Sequence, residues 1–352
     1  MKEMNPARTE VEILTASEQT AWPEALGSLA GFVGLKSWME FVREIYHFPA
    51  YFLAARTGGT ISGVLALCHV SHPIFGNFLA TAPFASYGGF AFSAAEAREM
   101  LLEAARNLAR KLGVEYTNVR FDGGNLTPPA GWVQQPIYAT YLIDLKRDPD
   151  AFLASYSPDH RNHIRKSLKK GYSIRFDGLD LVSDAYEVLA RSMHELGSPY
   201  HSKAYLCAMA KALGSKLELA VVRGPLGELA GAGAFINHGD MVTNLHANIL
   251  RRFRSDYAGE FLYWSAIRHY GEAGFRVLDL GRSLIGSGNE TFKSKWKPRK
   301  QLLAYWYALE KATALPALNQ HNAKFRTAIW VWKRLPSFLV RPVGPFLIKG
   351  LA

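Results

Sequence analysis

Two stretches decide the fold: Gly59 to Leu67, GTISGVLAL, and Gly227 to Phe235, GELAGAGAF. Each sets two glycines four apart at the entry to an apolar run, the pattern of a tight hairpin turn feeding a buried strand. Working outward, each leads into a strand region rich in glycine and aromatics and then a helical pattern, Ala94 to Leu112 in the first half and Tyr257 to Ala273 in the second. Both helices stop at a glycine, Gly113 and Gly274, as a left-handed C-terminal cap requires. Each stop is followed by a strand carrying a positive charge near its end, GVEYTNVRFD with Arg120 and GFRVLDLGRS with Arg282. The separations Gly59 to Gly227, Gly113 to Gly274 and Arg120 to Arg282 are 168, 161 and 162 residues. So constant an offset predicts an α/β (α+β) unit used twice, each copy a mixed central sheet flanked by helices.

The length of 352 residues suits two such domains, each with a sizeable core. With 49% apolar and 20% charged residues, bulk disorder is excluded. The 41 Lys and Arg exceed the 30 Asp and Glu, and the net charge of +11 favours phosphate-bearing partners: nucleic acid, nucleotides or an anionic membrane surface. Cys68 and Cys207 form no short pair for zinc or redox exchange, which fits a reduced cytoplasmic compartment. No apolar run approaches the roughly 18 residues of a spanning helix, and the N-terminal MKEMNPARTEVEIL lacks a signal-peptide core. Neither export by that route nor a bilayer crossing is expected.

Between the halves lies DPDAFLASYSPDHRNHIRKSLKKG, Asp148 to Gly171. Ser157 as cap, Pro158 in the first turn and Gly171 at the end predict a helix over 158–170. Arg161, Arg165 and Lys169 share one face, with Ile164 and Leu168 as a thin docking stripe. The tail, Arg326 to Ala352, mixes Trp330, Trp332, Phe338, Leu339, Phe346 and Ile348 with Lys333, Arg334, Arg341 and Lys349. Pro336, Pro342 and Pro345 are expected to break it into short helical pieces. Such a segment either seats in an anionic headgroup layer or packs back on the body. The domain boundaries expected are 1–147, 148–310 and a tail from 311 to 352.

The densest candidate for chemistry is GRSLIGSGNETFKSKWKP, Gly281 to Pro298. It follows the strand FRVLDL, so Arg282 and Ser283 fall at a strand's C-terminal end, where ligand sites collect in α/β sheets. Gly281, Gly286 and Gly288 let backbone amides approach an anion or oxyanion, with Phe292, Lys293, Lys295 and Trp296 beside them. The Lys and Ser or Thr of a phosphate loop are missing after the last glycine, no GxSxG elbow occurs, and GAGAF at 231–235 runs on as strand. P-loop hydrolase, α/β-hydrolase and dinucleotide readings are set aside. His160 and His163 have no carboxylate or cysteine at ligand spacing along the chain, so they read as surface groups and no metal is expected.

RNHIRKSLKKGYSIRF, HELGSPYHSKAYL, DLGRSLIGSGNETFKSKW, ASYGGF at 85–90 and the tail LPSFLVRPVGPFLIKGL together resemble the FemABX family of the GNAT acyltransferase superfamily, and its branch found alongside exosortase and exopolysaccharide clusters. The resemblance runs from about Trp38 to the end and implies two tandem GNAT-like domains. It implies transfer of an aminoacyl or acyl group to an amine of a cell-envelope or polysaccharide precursor, without a metal. Lys293, with Phe292 before it, matches the family's functional Phe and Lys pair and is assigned the oxyanion or a donor phosphate. Tyr87, Gly88 and Gly89 match a segment that helps form the acceptor cleft. Arg161, Arg165, Arg282, Ser283 and Gly288 are assigned to substrate. The helical hairpin that some members use for tRNA has no room here, and the R-x-x-G-x-G/A loop of acetyl-CoA enzymes is not evident at Arg251 to Gly259. Aminoacyl-tRNA, acyl-CoA and acyl carrier protein all stay open as donors, as does a non-catalytic assembly factor peripheral to the inner face of the cytoplasmic membrane.

Overall fold

A computed structural model describes residues 9–14, 31–316 and 323–352, with all their side chains except those of 150 and 323–326. The expectations that involve residues 1–8 and the side chain of Arg326 lie outside these. The chain forms two compact units, one of Met1–Tyr138, Leu302–Leu315 and Gly350–Ala352, the other of Ala139–Gln301 and Pro316–Lys349.

In the first unit the hairpin that Gly58 and Gly59 turn, both at positive φ, joins β2 to β3. The strands are β1 (Thr9–Ile13), β2 (Ala50–Thr57), β3 (Thr60–His72), β4 (Gly76–Ala80), β5 (Phe90–Phe92), β6 (Tyr116–Phe121), β7 (Val133–Gln134) and a late arrival, Ala304–Leu309. They order as β1-β2-β3-β4-β6-late strand-β7, with β5 on β3, and β4 and β6 run parallel. Helix Ala95–Leu112 lays Leu101, Leu102, Ala105 and Leu108 on Leu65, Leu67, Phe121 and Trp306. Gly63 is small for that reason: a Cβ there would lie 2.8 Å from Leu101 Cδ1.

The second unit contains β8 (Tyr138–Asp144), β9 (Ser173–Asp177), β10 (Leu217–Arg223), β11 (Leu229–His238), β12 (Met241–Ile249), β13 (Val277–Asp279), β14 (Ser283–Leu284) and β15 (Arg299–Leu302). Their order is β14-β8-β13-β12-β11-β10-β9, with β15 on β8, and here β12 and β13 are the parallel pair. Naming the late strand β16, the run β1-β2-β3-β4-β6-β16 maps onto β9-β10-β11-β12-β13-β8. This is the tandem GNAT-like architecture, each copy a mixed sheet flanked by helices. The halves trade one strand: β8 ends the first stretch of chain yet lies in the second sheet, and β16 does the reverse. Cuts at 147 and 310 therefore do not follow the packing, because the strand beside β6 is drawn from 304–309 and the strand beside β13 from 138–144.

The basic helix spans Pro158–Leu168, capped by the Ser157 hydroxyl, which accepts from His160 N at 3.3 Å. It docks through His160, Ile164 and Ser167, while Leu168 stays exposed, so the apolar stripe read from the sequence is shifted by about one residue. The tail departs further from expectation. Ser337–Lys349 is one helix with Pro342 and Pro345 inside it. Contacts on one face offset the backbone bonds that proline deletes: Val340 and Gly344 are buried, the latter against the Tyr200 backbone, and Arg341 forks onto both Glu187 oxygens at 2.6 and 2.7 Å. Trp330, Phe338, Leu339, Val343 and Phe346 remain exposed. Among the described residues no helix is long and apolar enough to cross a membrane.

Candidate functional site

In the second unit the parallel strands β12 and β13 pair over three positions only, Met241 with Val277, Val242 with Leu278 and Thr243 with Asp279. The register of β12 against β11 then slips between Ala234 and Phe235, which puts an extra residue, Leu245, between Asn244 and His246. A bulge of this kind bends the strand and sharpens its twist. β12 runs on to Ile249 while β13 ends at Asp279, so beyond Thr243 no strand among the described residues lies beside the β13-side edge of β12. Residues 245–249 are half-buried there. Parallel strands parting at their C-terminal ends open a crevice that backbone groups line, the usual place for a ligand in such sheets.

The corresponding place in the first unit is closed. β4 and β6 also pair over three positions, Phe78 with Tyr116 to Ala80 with Asn118. The chain then turns across the gap: Thr81 N donates to Asn118 O at 3.0 Å, Arg120 N to Thr81 Oγ1 at 2.7 Å, and Gly88 N to Arg120 O at 2.9 Å. Tyr87, Gly88 and Gly89 belong to this plug. Gly88 and Gly89 have positive φ, and Gly89 O accepts from Ala66 N. The Arg120 guanidinium is spent on Asn118 and on Ala352 O.

Around the open crevice, Gly281 and Gly286 need positive φ, at 74° and 82°, whereas Gly288 simply starts the helix Gly288–Ser294 and needs no special conformation. Ser287 caps that helix by accepting from Glu290 N at 3.3 Å. The Glu290 carboxylate accepts from Gly286 N, from Tyr141 OH at 2.7 Å and from Lys300 Nζ at 2.6 Å. The Lys300 bond first, then Gly286 N–H and the Tyr141 hydroxyl, hold its carboxyl down at about 2. The loop is thus laced from within.

Lys293 is buried, and its Nζ donates to Gly281 O at 2.7 Å and Arg282 O at 2.9 Å above the Tyr141 ring. Burial pulls its ammonium down from 10.5 to about 8, with Asp279 opposing and Arg282 assisting. Asp279, fully buried, accepts from Thr140 Oγ1 and from Gly281 N at 2.8 Å. Nζ therefore serves the carbonyls of the loop rather than facing open solvent. Phe292 packs beside Tyr263 and Trp296, at 5.5 and 6.4 Å between rings. Ser283 is buried with an Oγ that has no hydrogen-bond partner among the described residues, and Arg282 is exposed.

On the basic helix, Arg161 donates to Ala154 O at 3.0 Å and Tyr156 O at 3.1 Å, which closes the preceding turn. Arg165 is exposed. The expectation that both histidines are surface groups is corrected for His160, which is 2% exposed beneath Trp296, ring centroids 4.5 Å apart; His163 is half-buried on Tyr257. The sequence reading missed Tyr141, Glu290 and Asn244, whose side-chain amide donates to Tyr263 OH at 2.8 Å where β12 turns away. The one signal available was S-G-N-E at 287–290, a capping box. A hollow of about 220 Å³ at the β9 edge is lined by Arg175, Asp184 and Arg223, and Arg223 is paired with Asp184.

Residues 158–294, from the basic helix to the end of the Lys293 helix, match the family model of the acetyltransferase (GNAT) domain. FemX aligns over 86% of this chain and 98% of its own, at 13% identity and TM-score 0.64. A tandem GNAT protein from the clavulanic acid biosynthesis pathway aligns over 88% and 100%, at 15% identity and TM-score 0.56. L-PGS from Bacillus licheniformis aligns over 94% and 98%, at 14% identity and TM-score 0.53. No curated protein matches the chain by sequence. Residues 158–294 are thus similar to a GNAT domain, and the fold of the chain is similar to that of FemX and of the tandem GNAT protein.

Proposed function

We propose that the protein is an N-acyltransferase whose donor carbonyl lies in the crevice between β12 and β13. The observation that supports this reading is the contrast between the two copies: the second opens after Thr243 and Asp279, and the first is plugged by Thr81 to Gly89. Strand-edge amides of β12 hold the carbonyl by hydrogen bonds, and a neutral amine attacks it. The new C–N bond forms, the tetrahedral oxygen is stabilised by backbone donors, and the thiolate or tRNA hydroxyl departs with the proton the amine releases. Alignment of the two reactants can by itself remove several kcal/mol of barrier.

In this reading Lys293 acts as a positioning residue that fixes Gly281 and Arg282, and Phe292 wedges its helix. The unpartnered Ser283 Oγ accepts a donor from the substrate or gives its own proton to an oxygen there. Arg282 and Arg165 carry an anionic portion, a phosphate or carboxylate, since guanidinium grips both in two-pronged fashion. The acceptor is an amine on a cell-envelope or polysaccharide precursor, met at a membrane surface through the exposed Trp330, Phe338, Leu339 and Val343 beside Lys333 and Arg334.

The decisive experiment incubates the purified chain separately with charged tRNA, acyl-CoA and acyl carrier protein, in the presence of an amine acceptor, and follows which donor loses its acyl group. Loss from one pool, abolished by ribonuclease if that pool is tRNA, identifies the donor. Intact donors in every pool would refute the transferase reading and favour the assembly factor.

A further inference from the structure

We propose that His160, His163 and Glu260 form a site for a divalent metal ion of the zinc type, which ties helix Pro158–Leu168 to helix Ala258–Glu272. The two helices pack on each other. The histidines stand three apart on the first, and Glu260 comes from the opening turn of the second. One potential ligand atom from each of the three lies within 4.8 Å of the others. Tetrahedral zinc with bonds of about 2.1 Å sets its ligands about 3.4 Å apart, so rotamer shifts of about 1 Å close the site.

The sequence offered no carboxylate at ligand spacing from these histidines along the chain, and the fold supplies one about a hundred residues away. What points to a ligand is the unmet hydrogen-bonding capacity. His160 is 2% exposed, and among the described residues neither ring nitrogen has a hydrogen-bond partner; His163 Nδ1 lacks one too. Glu260 is 7% exposed and opens the facing helix beside these rings. Buried polar groups are nearly always satisfied, so an imidazole with both nitrogens buried and unmet points to a missing ligand.

Two imidazoles and a carboxylate suit Zn²⁺, Co²⁺ or Ni²⁺ better than the oxygen-seeking Mg²⁺ or Ca²⁺. Tyr156, Tyr257 and Trp296 supply an apolar rim of rings. The positive charge of Lys295 lies beside His160 and opposes a cation there. A fourth position is left for water.

The test uses the full chain, metal-stripped and free of any affinity tag, titrated with Zn²⁺ against a chromophoric chelator, and with Co²⁺ to read the visible bands of tetrahedral coordination. One equivalent per chain is expected. Glu260→Gln and His163→Asn should each weaken binding by about tenfold or more and erase the Co²⁺ bands, whereas His47→Asn, at an exposed site, should not. Should Glu260→Gln fail to fold by circular dichroism, His163→Asn on the half-buried ring decides. The proposal falls if the wild type binds no stoichiometric Zn²⁺ or if the variants bind as tightly as it does. Since the readout is metal binding, an inactive transferase leaves the outcome unchanged.

Discussion

Replacing Lys293 by Met keeps the side chain out to Cε and removes its charge and donors. In the wild type the ammonium is buried on Gly281 O and Arg282 O with its titration lowered to about 8, against 10.5 for an ordinary lysine. Below about pH 8 folded and unfolded chains both hold the proton, and this group gives stability no slope. Between about 8 and 10.5 the unfolded chain keeps a proton that the folded chain has lost, so stability rises with pH by about 1.4 kcal/mol per unit. From about pH 7 to pH 9.5 the wild type should gain about 2 kcal/mol on the variant. At pH 7 the variant also leaves the buried Gly281 carbonyl unmet, at about 1 to 3 kcal/mol, and the half-buried Arg282 carbonyl at less, partly offset by relief of the desolvated charge. Urea unfolding of both proteins across this range, plotted as a difference, cancels the other titrating groups. Parallel curves would show that Nζ is solvated and that Lys293 does not anchor the loop.

Asp279→Asn should cost about 3 kcal/mol of stability in thermal or urea unfolding, because it removes the charge facing Lys293 while keeping the Oδ1 that accepts from Gly281 N. Gly286→Ala meets open space but a φ of 82°, so a loss of about 1 kcal/mol and reduced turnover without global unfolding is expected from paired stability and rate measurements. Arg165→Ala, on an exposed side chain, should leave the melting temperature unchanged and lower the salt dependence of donor binding by about one phosphate contact. Gly344→Ala would press a Cβ within 2.9 Å of Tyr200 O and should make Ser337–Lys349 sensitive to limited proteolysis.

Glycine-led hairpins, capped helices and charged strand ends were legible because each is a local rule repeated at a fixed offset. Gly59 and Gly227 both turn hairpins at a φ of 82°, and Gly113 caps its helix at 65°. The exchange of β8 and β16 was not legible, since nothing local marks which sheet a strand will join. The site was legible in part. Ser283 and the loop at 281–296 fall beside the crevice, but the bulge at Leu245 that opens it has no sequence mark stronger than a run of β12 residues. Lys293 read as the cation for an oxyanion or a donor phosphate, and only three-dimensional packing reveals that its amine is buried on two loop carbonyls. Glu260 and His160 meet across nearly a hundred residues, a distance at which spacing rules say nothing.

The strand trade bears on how the chain matures on the ribosome. Trp306 on β16 packs edge-on against Phe121 of β6, so the N-terminal layer lacks an aromatic wall until synthesis has passed Leu309. Early segments must wait, partly unzipped, for a strand made late, and that long-range closure slows folding. An isolated N-terminal fragment would display β6 as a raw edge inviting aggregation, and supplying the missing peptide in trans should rescue its solubility.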